Sequence, residues 1–128
     1  MGKGLALAFR EAFPDVFREY ERACHAREIV PGRVQVVETK AKRGPKYVIN
    51  FPTKRHWRDR SDLDDIKAGV ADLAVQMGKL EIVSIAIPAL GCGLGGLLWN
   101  DVRKVIMITL SAKVAVKGSV RVVLFEPH

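Results

Sequence analysis

Apolar positions recur along this chain with two periods. Leu63, Ile66, Val70, Leu73 and Met77 fall three or four residues apart, the spacing of a helix that buries one stripe. Ser61 with Asp64 forms a capping-box pattern, Asp62 and Asp65 suit the positive end of the helix dipole, and Gly78 is a natural stop. The helix is therefore predicted to begin at Ser61. Val102, Val105, Ile106 and Leu110 predict another over residues 100–112. Nearer the start, "LALAFREAF" (5–13) reads as helical. Pro14 and Asp15 restart a helix that runs to about residue 27, with Val16, Phe17, Tyr20 and Cys24 on one face.

The intervening runs are shorter and β-branched. "RVQVVE" (33–38) alternates, "YVINF" (47–51) follows a loop, "EIVSIAI" (81–87) is almost continuously apolar, and "VRVVLFE" (120–126) comes last. Each predicts a strand. From residue 47 onward the order is strand, helix, strand, helix, strand. That order argues for parallel strands joined by right-handed helical crossovers. In such sheets ligands sit beyond the carboxyl ends of the strands. Two unusual loops leave strands at that edge: "PTKRHWRDR" after Phe51 and "GCGLGG" after Leu90. If their strands are neighbours, both loops line one cleft.

Composition bounds this picture. A chain of 128 residues, 48% hydrophobic, is expected to form one domain around one core. No apolar run approaches the roughly 20 residues that cross a bilayer. The opening "MGKGLALAFREAFP" is too acidic and too interrupted for a secretion signal. Two cysteines, Cys24 and Cys92, make neither a disulfide framework nor a metal site. The expectation is a cytoplasmic protein with no cofactor, no metal and no membrane partner.

Charge adds more than its total of +7. Residues 40–60, "KAKRGPKYVINFPTKRHWRDR", hold eight Lys or Arg and one acid; the rest of the chain balances at 13 of each sign. A basic run is most often a solvated surface, but a local excess also suits a polyanion. His56 and Trp57 beside Arg55 and Arg58 favour nucleic acid, because rings stack on unpaired bases.

"GCGLGGL" ahead of a helix can offer several backbone N–H groups to an anion, phosphate above all. It is neither a P-loop, lacking a Lys-Ser/Thr pair, nor the G-x-G-x-x-G fingerprint. On glycine count alone, phosphate binding and a structural turn stand equal. Gly2 and Gly4 around Lys3 make a second glycine-rich entry to a helix, and two such loops suit a diphosphate. Lys54, after the stiffening Pro52, reads first as a surface lysine on phosphate. It also suits an electrostatic catalyst or a nucleophile. Cys92 has no His partner in sequence and reads as a small residue filling a tight loop. His25 and His128 look peripheral, and Trp99 is expected to pack the start of its helix.

Taken together, "MGKGLALAF", "YVINFPTKRHWR" and "IPALGCGLGGL" resemble the macrodomain superfamily, and more narrowly the DarG-type DNA ADP-ribosyl glycohydrolase antitoxins. The resemblance spans nearly the whole chain, and "NFPTKRHW" makes it specific. It implies a macrodomain-like three-layer α/β/α sandwich over residues 1–128 with a mixed, largely parallel sheet, and an ADP-ribose cleft. In that cleft Gly91, Cys92, Gly93, Leu94, Gly95, Gly96 and Leu97 would hold the diphosphate and distal ribose through backbone amides. Gly2, Lys3 and Gly4 would lie against that ribose from the other side, with Thr53 also in the site. Lys54 matches the lysine on which catalysis depends in the family. Arg55, His56, Trp57 and Arg58 would contact DNA.

The implied reaction removes ADP-ribose from thymidine in single-stranded DNA and reverses a DarT-type toxin, a further partner; the protein is expected to be a monomer. Two departures are visible. The chain begins at the Met of "MGKG", whereas family members are expected to carry about two more strands upstream, with an acidic residue for adenine and an asparagine near the distal ribose. Leu94 stands where the family usually has asparagine in "GCGNGG". The carboxy-terminal toxin-binding region of full-length relatives is also absent. Two other readings stay open: a reader that binds ADP-ribose without turnover, and a plain nucleic-acid-binding module in which the glycine loop is structural.

Overall fold

A computed structural model describes residues 14–26, 29–39, 44–54, 60–93, 95–113 and 120–127. The helix expected over residues 5–13 and the side chains of Phe17 and Cys24 lie outside the described residues. The chain forms two compact units, Met1–Ile29 with Gln35–Asn50 and Val30–Val34 with Phe51–His128.

In the first unit α1 (Pro14–His25) carries Asp15 in its first turn, where the helix dipole favours an acid. Val16 and Ala23 are buried on it. Strands β1 (Gln35–Glu38) and β2 (Tyr47–Asn50) pair antiparallel, with Gln35 opposite Asn50 and Glu38 opposite Tyr47. Thr39 closes the hairpin, its N–H donating to the Lys46 carbonyl at 3.0 Å and its hydroxyl to the Pro45 carbonyl at 2.6 Å. Asn50 is buried, so its amide needs a partner. Its Nδ2 donates to Gln35 Oε1 at 2.8 Å, and Gln35 Nε2 reaches the Glu19 carbonyl of α1 at 3.5 Å. The strand expected to open a parallel series thus has its described partner in a hairpin.

The second unit is built on two helices. The first, α2 (Leu63–Lys79), buries Ile66, Gly69, Val70, Leu73, Ala74 and Met77. Its cap is Asp62 and not Ser61, with the Asp62 carboxylate accepting from the Asp64 N–H at 2.8 Å. Ser61 is buried, and its hydroxyl makes no capping bond among the described residues. The helix also runs through Gly78 to Lys79, with Leu80 as its cap. Glu81, at φ 54°, takes the left-handed turn expected of the glycine. Helix α3 (Trp99–Lys113) buries Val102, Ile106 and Leu110 and packs on α2. Val105 is half-buried. Burying each of the larger side chains in this stripe contributes roughly 1.5–3 kcal/mol.

Strands β3 (Ser84–Ile87) and β4 (Arg121–Leu124) pair parallel, Ser84 opposite Arg121 and Ile87 opposite Leu124. Helix α3 lies between them in sequence, as a parallel pair requires. The segment at Val34 is fixed to α2 by its N–H, which donates to Asp72 Oδ2 at 2.8 Å. Among the described residues no helix is long and apolar enough to cross a membrane.

Candidate functional site

Both ends of the basic loop are anchored in the second unit. A Cβ on Gly69 would strike the Phe51 ring, with Cε1 at 2.9 Å, so this glycine inside α2 makes room for the ring. Phe51 in turn fixes the exit of the loop. Pro52, Thr53 and Lys54 follow, each half-buried. Lys54 has no ion pair or hydrogen bond among the described residues.

The other end of the loop meets the glycine turn. Ser61 N–H donates to the Gly95 carbonyl at 3.0 Å. The turn is closed by Leu97 N–H to the Gly91 carbonyl at 2.9 Å, and inside it Gly96 N–H donates to the Gly93 carbonyl at 3.1 Å. Gly91 and Gly96 hold φ of 71° and 78°, the left-handed region that favours glycine. Gly95 is glycine for another reason. A Cβ there would collide with Ser61 Oγ and lie 2.5 Å from the Gly91 carbonyl oxygen. Arg60, exposed, lays its side chain over Gly96, with Cδ 3.8 Å from where a Cβ would stand.

Gly93 behaves differently. It is exposed, and a Cβ on it would meet nothing within 4 Å. The N–H groups of Gly93 and Gly95 find no acceptor among the described residues. Unmet donors on a turn pressed against an arginine are the chemistry of an anion site. The carboxy-terminal end of the basic loop thus meets the glycine turn through Arg60 and Ser61.

Of the residues singled out in sequence, Thr53, Lys54, Gly91, Cys92, Gly93, Gly95, Gly96 and Leu97 are described and all fall in the second unit. Gly2, Lys3, Gly4, Arg55, His56, Trp57, Arg58 and Leu94 lie outside the described residues. Cys92 is half-buried with Sγ 3.5 Å from the Leu90 carbonyl, and burial pushes its thiol up, away from the thiolate a nucleophile needs. Among the described residues no three His, Cys, Asp or Glu approach one another closely enough to hold a metal. Sequence reasoning missed two contributors. Gly69 carried a usable signal, since a glycine within a helical stripe usually has a packing reason. Ser61 resembled an ordinary helix cap, and nothing in the sequence separated it from one.

Comparison with known proteins adds the following. Residues 1–106 match the Macro domain family. A Mycobacterium tuberculosis protein named DNA ADP-ribosyl glycohydrolase is 49% identical over 104 residues, 81% of this chain and 30% of that protein. The solved macrodomain of Mycobacterium tuberculosis DarG aligns with a TM-score of 0.90 at 42% identity, covering 100% of this chain and 82% of that one. Thermosipho africanus DarTG, solved in complex with ADP-ribose, aligns with a TM-score of 0.77 at 33% identity, covering 96% of this chain and 34% of that one. The chain spans less than a third of the Mycobacterium tuberculosis protein's length.

Proposed function

The chain belongs to the Macro domain family and has its α/β fold, and from that premise we propose that it is a DNA ADP-ribosyl glycohydrolase. Residues 1–128 are read as one macrodomain. The substrate is thymidine carrying ADP-ribose in single-stranded DNA, and the toxin counteracted is of DarT type. A monomer in the cytoplasm goes with that reading.

The observation that carries it is the glycine turn seated on Arg60 and Ser61, where among the described residues the Gly93 and Gly95 N–H groups find no acceptor and a Cβ on Gly93 meets nothing within 4 Å. Those donors receive the diphosphate of ADP-ribose, with Gly91–Leu97 around the distal ribose and Gly2–Gly4 on its other side. In this reading Thr53 and Lys54, just beyond the Phe51 anchor, serve the reacting end. Arg55, His56, Trp57 and Arg58, which follow Lys54 in sequence, take the DNA strand.

In the reaction the bond between ribose C1″ and a thymine nitrogen breaks. Water supplies a hydroxyl to C1″ and a proton to the base. The departing base carries developing negative charge, which a positioned lysine stabilises by electrostatics or by lending a proton. On the other route the neutral Lys54 amine attacks C1″ and displaces the thymine nitrogen, which takes up a proton; water then cleaves the C1″–Nζ bond, releasing ADP-ribose and the free amine.

Free ADP-ribose and a single-stranded oligonucleotide modified at one thymine test the reading. The expected result is saturable binding of the first and release of ADP-ribose from the second. Binding without release makes the chain a reader. No binding at all returns the turn to a structural role.

A further inference from the structure

Ser61 is 8% exposed, and its hydroxyl oxygen is shut from solvent with no hydrogen-bond partner among the described residues. Buried polar groups are nearly always bonded, so this one needs an account. The ordinary task for a serine at this place, capping α2, is done by Asp62. Burial here is also enforced from above. A Cβ on Gly91 would come within 3.1 Å of Ser61 Cβ and 3.2 Å of its Oγ, and one on Gly95 would collide with Oγ. Two glycines thus keep open the space that the hydroxyl fills.

We infer that Ser61 is a positioning residue whose unmet hydroxyl, enclosed beneath Gly91 and Gly95, is taken up by the turn's backbone when the turn receives a phosphate. The inference rests on the diphosphate reading of the turn. Directing the Gly93 N–H at an anion turns its peptide plane. Ser61 already holds the Gly95 carbonyl through its own N–H, so a tilt of the neighbouring peptides is read at once by its side chain. The hydroxyl can donate or accept, which suits either face of a tilted peptide. An unmet group in the free form that is met in the bound form favours the bound form by the difference.

The consequence is a pair of effects with opposite signs. Ser61→Ala removes a buried unmet hydroxyl, so the free protein melts about 2–5 °C higher. The same change weakens ADP-ribose about 3- to 10-fold, and inorganic pyrophosphate with it. A serine with a purely packing role gives the reverse: Ser61→Ala melts lower and binds like the parent. Either of those results overturns the inference while leaving the ADP-ribose reading in place. A parent protein that binds neither ADP-ribose nor pyrophosphate overturns both.

Discussion

Gly93 and Gly95 stand two positions apart in one turn and tolerate opposite things. A methyl group on Gly93 meets nothing within 4 Å among the described residues, whereas on Gly95 it strikes Ser61 and the Gly91 carbonyl. Gly95→Ala is therefore expected to destabilise by about 1–3 kcal/mol, the usual cost of overpacking. Gly93→Ala should melt like the parent and bind ADP-ribose more weakly, because its methyl stands where a phosphate must approach. Melting curves and titration calorimetry on the two variants check this, and equal loss of stability in both would discard the distinction. The sequence displayed four glycines but not which served the turn and which the ligand. That difference depends on Ser61, a residue far along the chain from the turn. The same distance hid the unmet hydroxyl.

Helix α2 carries the same lesson at the next scale. Its buried stripe was legible, because Ile66, Val70, Leu73 and Met77 follow the helical period and all are buried. Its ends were legible only to within a residue or two. Capping was assigned to Ser61 in place of Asp62, and termination to Gly78 in place of Leu80 and Glu81. Local preference names several residues able to do each job, and packing chooses among them. Two glycines inside this helix give a test. Gly78 has open space where a Cβ would stand, so Gly78→Ala should stabilise by about 0.5–1 kcal/mol. Gly69 receives the Phe51 ring, so Gly69→Ala should lose about 1–3 kcal/mol despite the same gain in helix propensity. Thermal melting decides, and two shifts of the same sign would mean that Phe51 yields without cost. Strand positions were also readable from β-branched runs. Their pairing was only partly so: the β3–β4 parallel pair follows from the helix between them, while β2 joins β1 in a hairpin.

For the whole molecule, the charge distribution suits the polyanionic substrate proposed above. The excess of +7 resides in residues 40–60, the segment that ends on the glycine turn through Arg60 and Ser61. Affinity for a single strand should fall with salt by about 0.7 log units per phosphate neutralised for each decade of salt. Arg55→Ala with Arg58→Ala should flatten that dependence, and a parent whose affinity ignores salt would remove DNA as the partner. On the proposed reading this chain cuts ADP-ribose from DNA with Lys54 at the bond. Release of ADP-ribose from a single-stranded oligonucleotide modified at one thymine, by the parent, Lys54→Ala and Lys54→Arg, tests it. The expected result is release by the parent and none by Lys54→Ala, with ADP-ribose affinity kept. Lys54→Arg retains charge but offers no neutral amine, so residual release assigns the electrostatic route and its absence the nucleophilic one. A folded Lys54→Ala protein that releases ADP-ribose at the parent's rate would contradict the account.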